Sequence, residues 1–158
     1  MHAGLPHCHM LFWYAPGCEP RTAEDVDSII SAELPDPENE KELFDLIVGS
    51  HIHGPCGAEN PEAKCCQKEN FKGRCKDQYP RPYSENTVLS DEGYPNYRRR
   101  KNGVKVKILA TLANGTRKVI EIDNRHVFPY NKALTLKYRA HINVELCSGI
   151  RMIKYLHK

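Results

Sequence analysis

The stretch "GLPHCHMLFWY", residues 4–14, carries two histidines around one cysteine, followed at once by an apolar, aromatic run. Short, apolar and ended by Pro16 and Gly17, residues 7–14 read as a strand in the core of a sheet. Side chains two apart on a strand share a face. His7 and His9 would then present two imidazoles side by side, with Cys8 on the opposite face. Two nitrogen ligands at that spacing suit a divalent ion with positions left open. The plainer alternative is a pair of histidines at a sheet edge.

Outward from this stretch, the pattern alternates between helix and strand. Thr22 caps a helix, with Asp25 three residues on as an approximate capping box and Val26, Ile29 and Ile30 as its apolar stripe. Pro35 and Pro37 interrupt the chain. A second helix carries Leu43, Leu46 and Ile47 and is expected to stop near Gly49. Residues 104–122, "VKVKILATLANGTRKVIEI", read as a hairpin joined at Asn114 and Gly115, the favoured type I′ pair. Ile142, Val144 and Leu146 alternate in "AHINVEL". Ser148 is placed to cap a last helix with Ile150, Ile153 and Leu156 on one face. The expected fold class is α+β: a mainly antiparallel central sheet with flanking helices and a Cys/His-rich insertion, in one domain over residues 1–158.

That insertion, residues 51–83, has little periodicity and is dense in Cys, His, Pro and Gly, so it needs another source of order. It offers His51, His53, Cys56, Cys65, Cys66 and Cys75. Four such donors make a closed tetrahedral zinc site of structural type. The set expected is His53, Cys56, Cys65 and Cys75, with Cys66 as the alternative third ligand. The competing reading is a loop of free thiols. No secretory leader opens the chain, which argues against a disulfide framework for its seven cysteines. No apolar run approaches the ~20 residues that span a membrane.

Charge is divided unevenly. Residues 1–93 hold 8 Lys and Arg against 17 Asp and Glu; residues 94–158 hold 15 against 3, within a chain of net charge +3. A basic half favours a polyanionic partner. Arg98, Arg99, Arg100 and Lys101 precede the hairpin strand that carries Lys105 and Lys107, and basic side chains beside aromatics suit a single-strand channel. The same "RRRK" also fits a nuclear import signal, and lysines on a hairpin edge also block sheet-to-sheet pairing. Tyr155 and Lys158 form Y-x-x-K on the expected last helix. A tyrosine near a metal-bound phosphate can attack phosphorus, with a lysine offsetting the developing charge.

Taken together, "GLPHCHMLFWY", "IISAELPDPE", "HIHGPCG", "YRRR", "PYNKALTLKYRAHINVELC" and "IKYLHK" resemble, in order, the replication-initiator-type endonuclease domain of Helitron rolling-circle transposases, the HUH (His–hydrophobe–His) nucleases. The resemblance implies a nuclear protein that nicks and transfers single-stranded DNA. His7 and His9 would hold Mg²⁺ or Mn²⁺, and Tyr155 would form a 5′-phosphotyrosine with Lys158 beside it. It also implies a third metal ligand upstream of His7, a second tyrosine after Y-x-x-K and a helicase domain in the parent protein, so the sequence is expected to be a fragment. Two other readings stand beside it: a transposon relic that only binds nucleic acid, and a zinc-stabilised interaction module.

Overall fold

The computed structural model describes residues 7–67, 70–71, 73–90 and 94–147. Among the described residues, three helices and one antiparallel strand pair give a mixed α+β structure: α1 (Ala23–Ile29), α2 (Lys41–Ser50), β1 (Val106–Thr111), β2 (Arg117–Ile122) and α3 (Lys132–Tyr138). Two short 3₁₀ turns, Lys64–Cys66 and Asn124–His126, complete the order.

Local chemistry accounts for the helix ends. Thr22 accepts the Asp25 N–H through its hydroxyl at 3.1 Å, while the Asp25 carboxylate accepts the Thr22 N–H at 2.9 Å, a reciprocal capping box. α2 buries Leu43 and Ile47 and runs one residue past Gly49. α3 begins behind Asn131, whose side chain accepts the Leu134 N–H at 2.9 Å.

β1 and β2 pair from Val106 opposite Ile122 to Thr111 opposite Arg117. Their connection differs from the expected type I′ turn. Gly115 alone takes a positive φ, 82°, and its N–H reaches the Leu112 carbonyl at 2.9 Å while Leu112 N–H reaches Thr116 O at 2.8 Å. Ala113 and Asn114 are therefore the centre of an ordinary turn, and the glycine supplies the left-handed step that restores the twist.

The strand expected over residues 7–14 is not formed. These residues take no strand conformation, and Met10, Phe12 and Trp13 are 64%, 74% and 77% exposed. Apolar composition alone does not make a strand, which needs a neighbour for its N–H and C=O groups. The expected strand over residues 140–146 is extended without a ladder. Instead three of its backbone N–H groups find separate partners: Ile142 N–H on His51 Nε2 (3.1 Å), Val144 N–H on Pro129 O (3.0 Å) and Leu146 N–H on the Tyr97 hydroxyl (2.8 Å). Its alternation survives, since Val144 and Leu146 pack against Val26, Ile30 and Tyr97.

The largest core joins Leu34, Leu43, Ile47, Val127 and Tyr130, and Ile52 packs against both it and the inner hairpin face of Ala110, Ile120 and Ile122. A separate cluster of Cys56, Cys66, Cys75 and Tyr79 lies under Phe128.

Candidate metal centre

Four elements without regular structure of their own bring four donors together. Behind α2, residues 51–53 lie antiparallel to residues 126–128, with His53 N–H on His126 O and Phe128 N–H on His51 O, both at 2.8 Å. That short ladder fixes His53. Cys56 precedes Gly57, which turns the chain at φ 63°. Cys65 sits in the 3₁₀ turn, and the Lys76 N–H on the Cys65 carbonyl (2.9 Å) brings the Cys75 turn alongside.

The donor atoms of His53, Cys56, Cys65 and Cys75 all lie within 4.8 Å of one another. Cys75 Sγ lies 3.6 Å from His53 Nε2, and Cys56 Sγ lies 3.7 Å from the other ring nitrogen, Nδ1. Ligand atoms around a tetrahedral ion bound at ~2.3 Å stand roughly 3.5–3.8 Å apart, so the spacing from Nε2 to Cys75 Sγ suits one ion. Of the six candidates in the sequence, these are the four expected. They could hold a metal ion such as zinc.

The surroundings prepare the imidazole. Nδ1 lies 2.9 Å from the Gly54 carbonyl. A proton donated there leaves the Nε2 lone pair for a metal, the arrangement common to ligating histidines. The ring stacks on Tyr79 at 4.4 Å between centroids and 15° between planes, with Phe128 at 5.7 Å. Burial keeps His53 neutral by lowering its pKa. Burial and mutual crowding push the Cys56 thiol well above its ordinary range, and the Cys65 thiol up to about 12. A dication would displace the thiol protons and form three sulfur bonds.

The remaining candidates fall elsewhere. His51 is fully buried and bonds to the Ser50 hydroxyl (2.8 Å) and the Ile142 N–H, so it pins the C-terminal segment to α2. The His7 and His9 rings are exposed, 5.2 Å apart and nearly perpendicular (82°), but not on a strand. Tyr155 and Lys158 lie outside the described residues.

The expected basic arm is held partly against the protein itself. Arg99 is 3% exposed and donates from one Nη to the carbonyls of Ala32, Asn124 and Val127 at 3.1, 2.7 and 2.7 Å. Arg100 grips the Glu33 carboxylate at 2.6 Å, and Arg98 pairs with Asp27 at 3.0 Å. These three arginines serve the fold, because the segments packed on them supply carbonyls and carboxylates. Lys101 and Lys107 are exposed, while Lys105 pairs with Glu121 at 2.6 Å. Sequence reading also missed the partner Glu33, whose setting in "SAEL" carries no signal of a charge pair.

No protein-family model matches the chain, and no curated protein matches it significantly.

Proposed function

We propose that His53, Cys56, Cys65 and Cys75 bind one zinc ion as a structural centre within an HUH-type single-strand DNA nicking domain. The observation that carries the zinc part is the convergence of three thiols and one imidazole within 4.8 Å of one another, in a segment with almost no regular structure. A three-thiolate, one-imidazole set is borderline-soft, which suits zinc rather than magnesium or calcium. With four protein ligands the centre is closed, so its role is to hold residues 51–83 rather than to activate a water.

The nicking part rests on the ordered motifs of the sequence. His7 and His9 would hold Mg²⁺ or Mn²⁺ against the scissile phosphate. The Tyr155 oxygen would form the bond to phosphorus as the bond from phosphorus to the 3′ oxygen breaks. The 5′ phosphate stays on tyrosine and the 3′ hydroxyl leaves with a proton. Lys101 and Lys107, exposed beside the hairpin, are the cations best placed to meet the strand. A second reading, binding without cleavage, is favoured by one observation: residues 7–14 lack the strand that would set both rings on one face.

Two measurements test these readings. Elemental analysis should find about one zinc per chain, lost in Cys56→Ser; native protein free of metal, with all thiols titratable, would remove the centre. Single-stranded oligonucleotides with Mn²⁺ should give covalent adducts in the parent protein, abolished by Tyr155→Phe paired with removal of any second tyrosine. Salt-sensitive DNA binding without any adduct would select the non-cleaving reading.

A further inference from the structure

A fifth donor stands beside the four. Cys66 is 3% exposed, and its sulfur lies 3.8 Å from the Cys65 sulfur, next to the four donors though outside the set whose atoms all lie within 4.8 Å of one another. Its sulfur already accepts a main-chain bond, from Gly57 N–H at 3.2 Å. Gly57 follows the ligand Cys56, so this bond ties Cys66 to the turn that presents another ligand. The backbone of the pair is held on its far side, by Lys76 N–H on Cys65 O (2.9 Å) and Gly73 N–H on Cys66 O (3.3 Å).

We infer that Cys66 is a reserve ligand, and that the centre has two ligand sets sharing His53, Cys56 and Cys75 and differing in Cys65 or Cys66. The inference rests on the metal-binding reading above. Exchange needs side-chain rotation within one anchored turn. The bond from metal to Cys66 sulfur forms as the bond to Cys65 sulfur breaks, and the Cys66 proton passes to the departing Cys65 thiolate. Charge and oxidation state are unchanged. Such a centre keeps its ion when Cys65 is lost, and gives it an exchange route that a four-donor site lacks. If Cys66 served packing alone, losing Cys65 would be as damaging as losing Cys56.

Co²⁺ distinguishes these cases, because its tetrahedral thiolate complexes absorb in proportion to the sulfurs bound. The metal-free full chain is titrated with Co²⁺ as wild type, Cys56→Ser, Cys65→Ser, Cys66→Ser and the Cys65→Ser, Cys66→Ser double variant. The expected result is that Cys65→Ser keeps the three-thiolate spectrum with affinity within about tenfold of wild type, and Cys66→Ser stays close to wild type. The double variant and Cys56→Ser should both fall by more than about a hundredfold, since a lost ligand costs more than the ~10–100-fold of an outer-shell partner. Equal losses in Cys65→Ser, Cys56→Ser and the double variant would overturn the reserve-ligand role while leaving the metal centre intact. A wild-type chain without a tetrahedral Co²⁺ spectrum would overturn the centre itself.

Discussion

Arg99 makes its three carbonyl contacts from a single Nη, in a position where the charge is almost wholly removed from water. Those carbonyls belong to two distant segments, so one side chain closes the junction between residues 31–34 and the 3₁₀ turn Asn124–His126 with its cap Val127. Arg99→Met removes the buried charge but leaves the three oxygens without their donor. The expected cost is about 3 kcal/mol, read from the urea midpoint. The salt slope of DNA binding should not change, because Arg99 cannot reach a phosphate; a slope reduced by Arg99→Met at unchanged stability would contradict this placement. Asp123 offers a pH-dependent counterpart. Burial by itself would raise its carboxyl pKa, but the Arg125 guanidinium and the Tyr83 hydroxyl outweigh it and hold the group below the usual carboxylate range. A depressed folded pKa means the stabilisation is complete above the unfolded value near ~4 and is lost as pH falls through the folded one. Asp123→Asn should therefore lower the unfolding free energy at neutral pH by about 2 kcal/mol, read from the urea midpoint, with the gap narrowing as pH falls below roughly 4. A gap constant across acid pH would place the stabilisation elsewhere. Ligand residues were legible in the sequence because few side chains can bind a soft metal; an arginine has many partners, so its identity said nothing about whether phosphate or carbonyl would take it.

The elements that local chemistry dictates are the ones the sequence revealed. A capping box needs only residues three apart, and the hairpin declares itself by alternation on both sides of a turn pair. Gly115 is the critical position in that turn, since φ 82° costs any side chain strain. Gly115→Ala should lose about 1 kcal/mol, read by thermal unfolding, although a Cβ there would meet nothing within 4 Å. Asn114→Ala, outside the left-handed region, should lose less; equal losses would restore the type I′ reading. Thr22→Ala should cost a similar ~1 kcal/mol through the lost cap. Residues 7–14 show where local reading stops. Their composition suits a central strand, but strand formation depends on partners far away in the chain, and the hairpin spends its pairing on itself. α3 was overlooked for the opposite reason. "KALTLKY" follows a good cap, Asn131, but is too short for two full turns of apolar periodicity.

At the scale of the whole molecule, residues 51–83 are attached rather than folded in their own right. Beyond Ile52, which packs on the main core, their apolar cluster is of thiols and Tyr79 under Phe128, and among the described residues their regular structure is one 3₁₀ turn. The attachment runs through the His53 ladder to residues 126–128 and through Tyr79, whose ring lies 5.9 Å from the Arg99 guanidinium. Metal bound to the native state alone adds RT ln(1 + [L]/Kd), or about 2.7 kcal/mol when free metal is a hundred times Kd. Removing it should therefore loosen this segment first. The loss need not reach α1, α2 or the hairpin, whose contacts with one another do not pass through the cysteines. Hydrogen exchange before and after chelation is the direct measurement. Amides of residues 53–66 and 73–79, including Lys76 on Cys65 O and Gln78 on Cys75 O, should lose protection, while α2 and β1 keep theirs. Acid should do what a chelator does. Both the thiolates and the imidazole take up protons when the metal leaves, so metal affinity falls as pH falls and the segment loosens before the rest of the chain. Unchanged exchange across 53–79 after verified metal loss would mean that packing around Tyr79 suffices to order it. Uniform loss across the chain would mean that the centre is part of the single cooperative core rather than a clamp upon it.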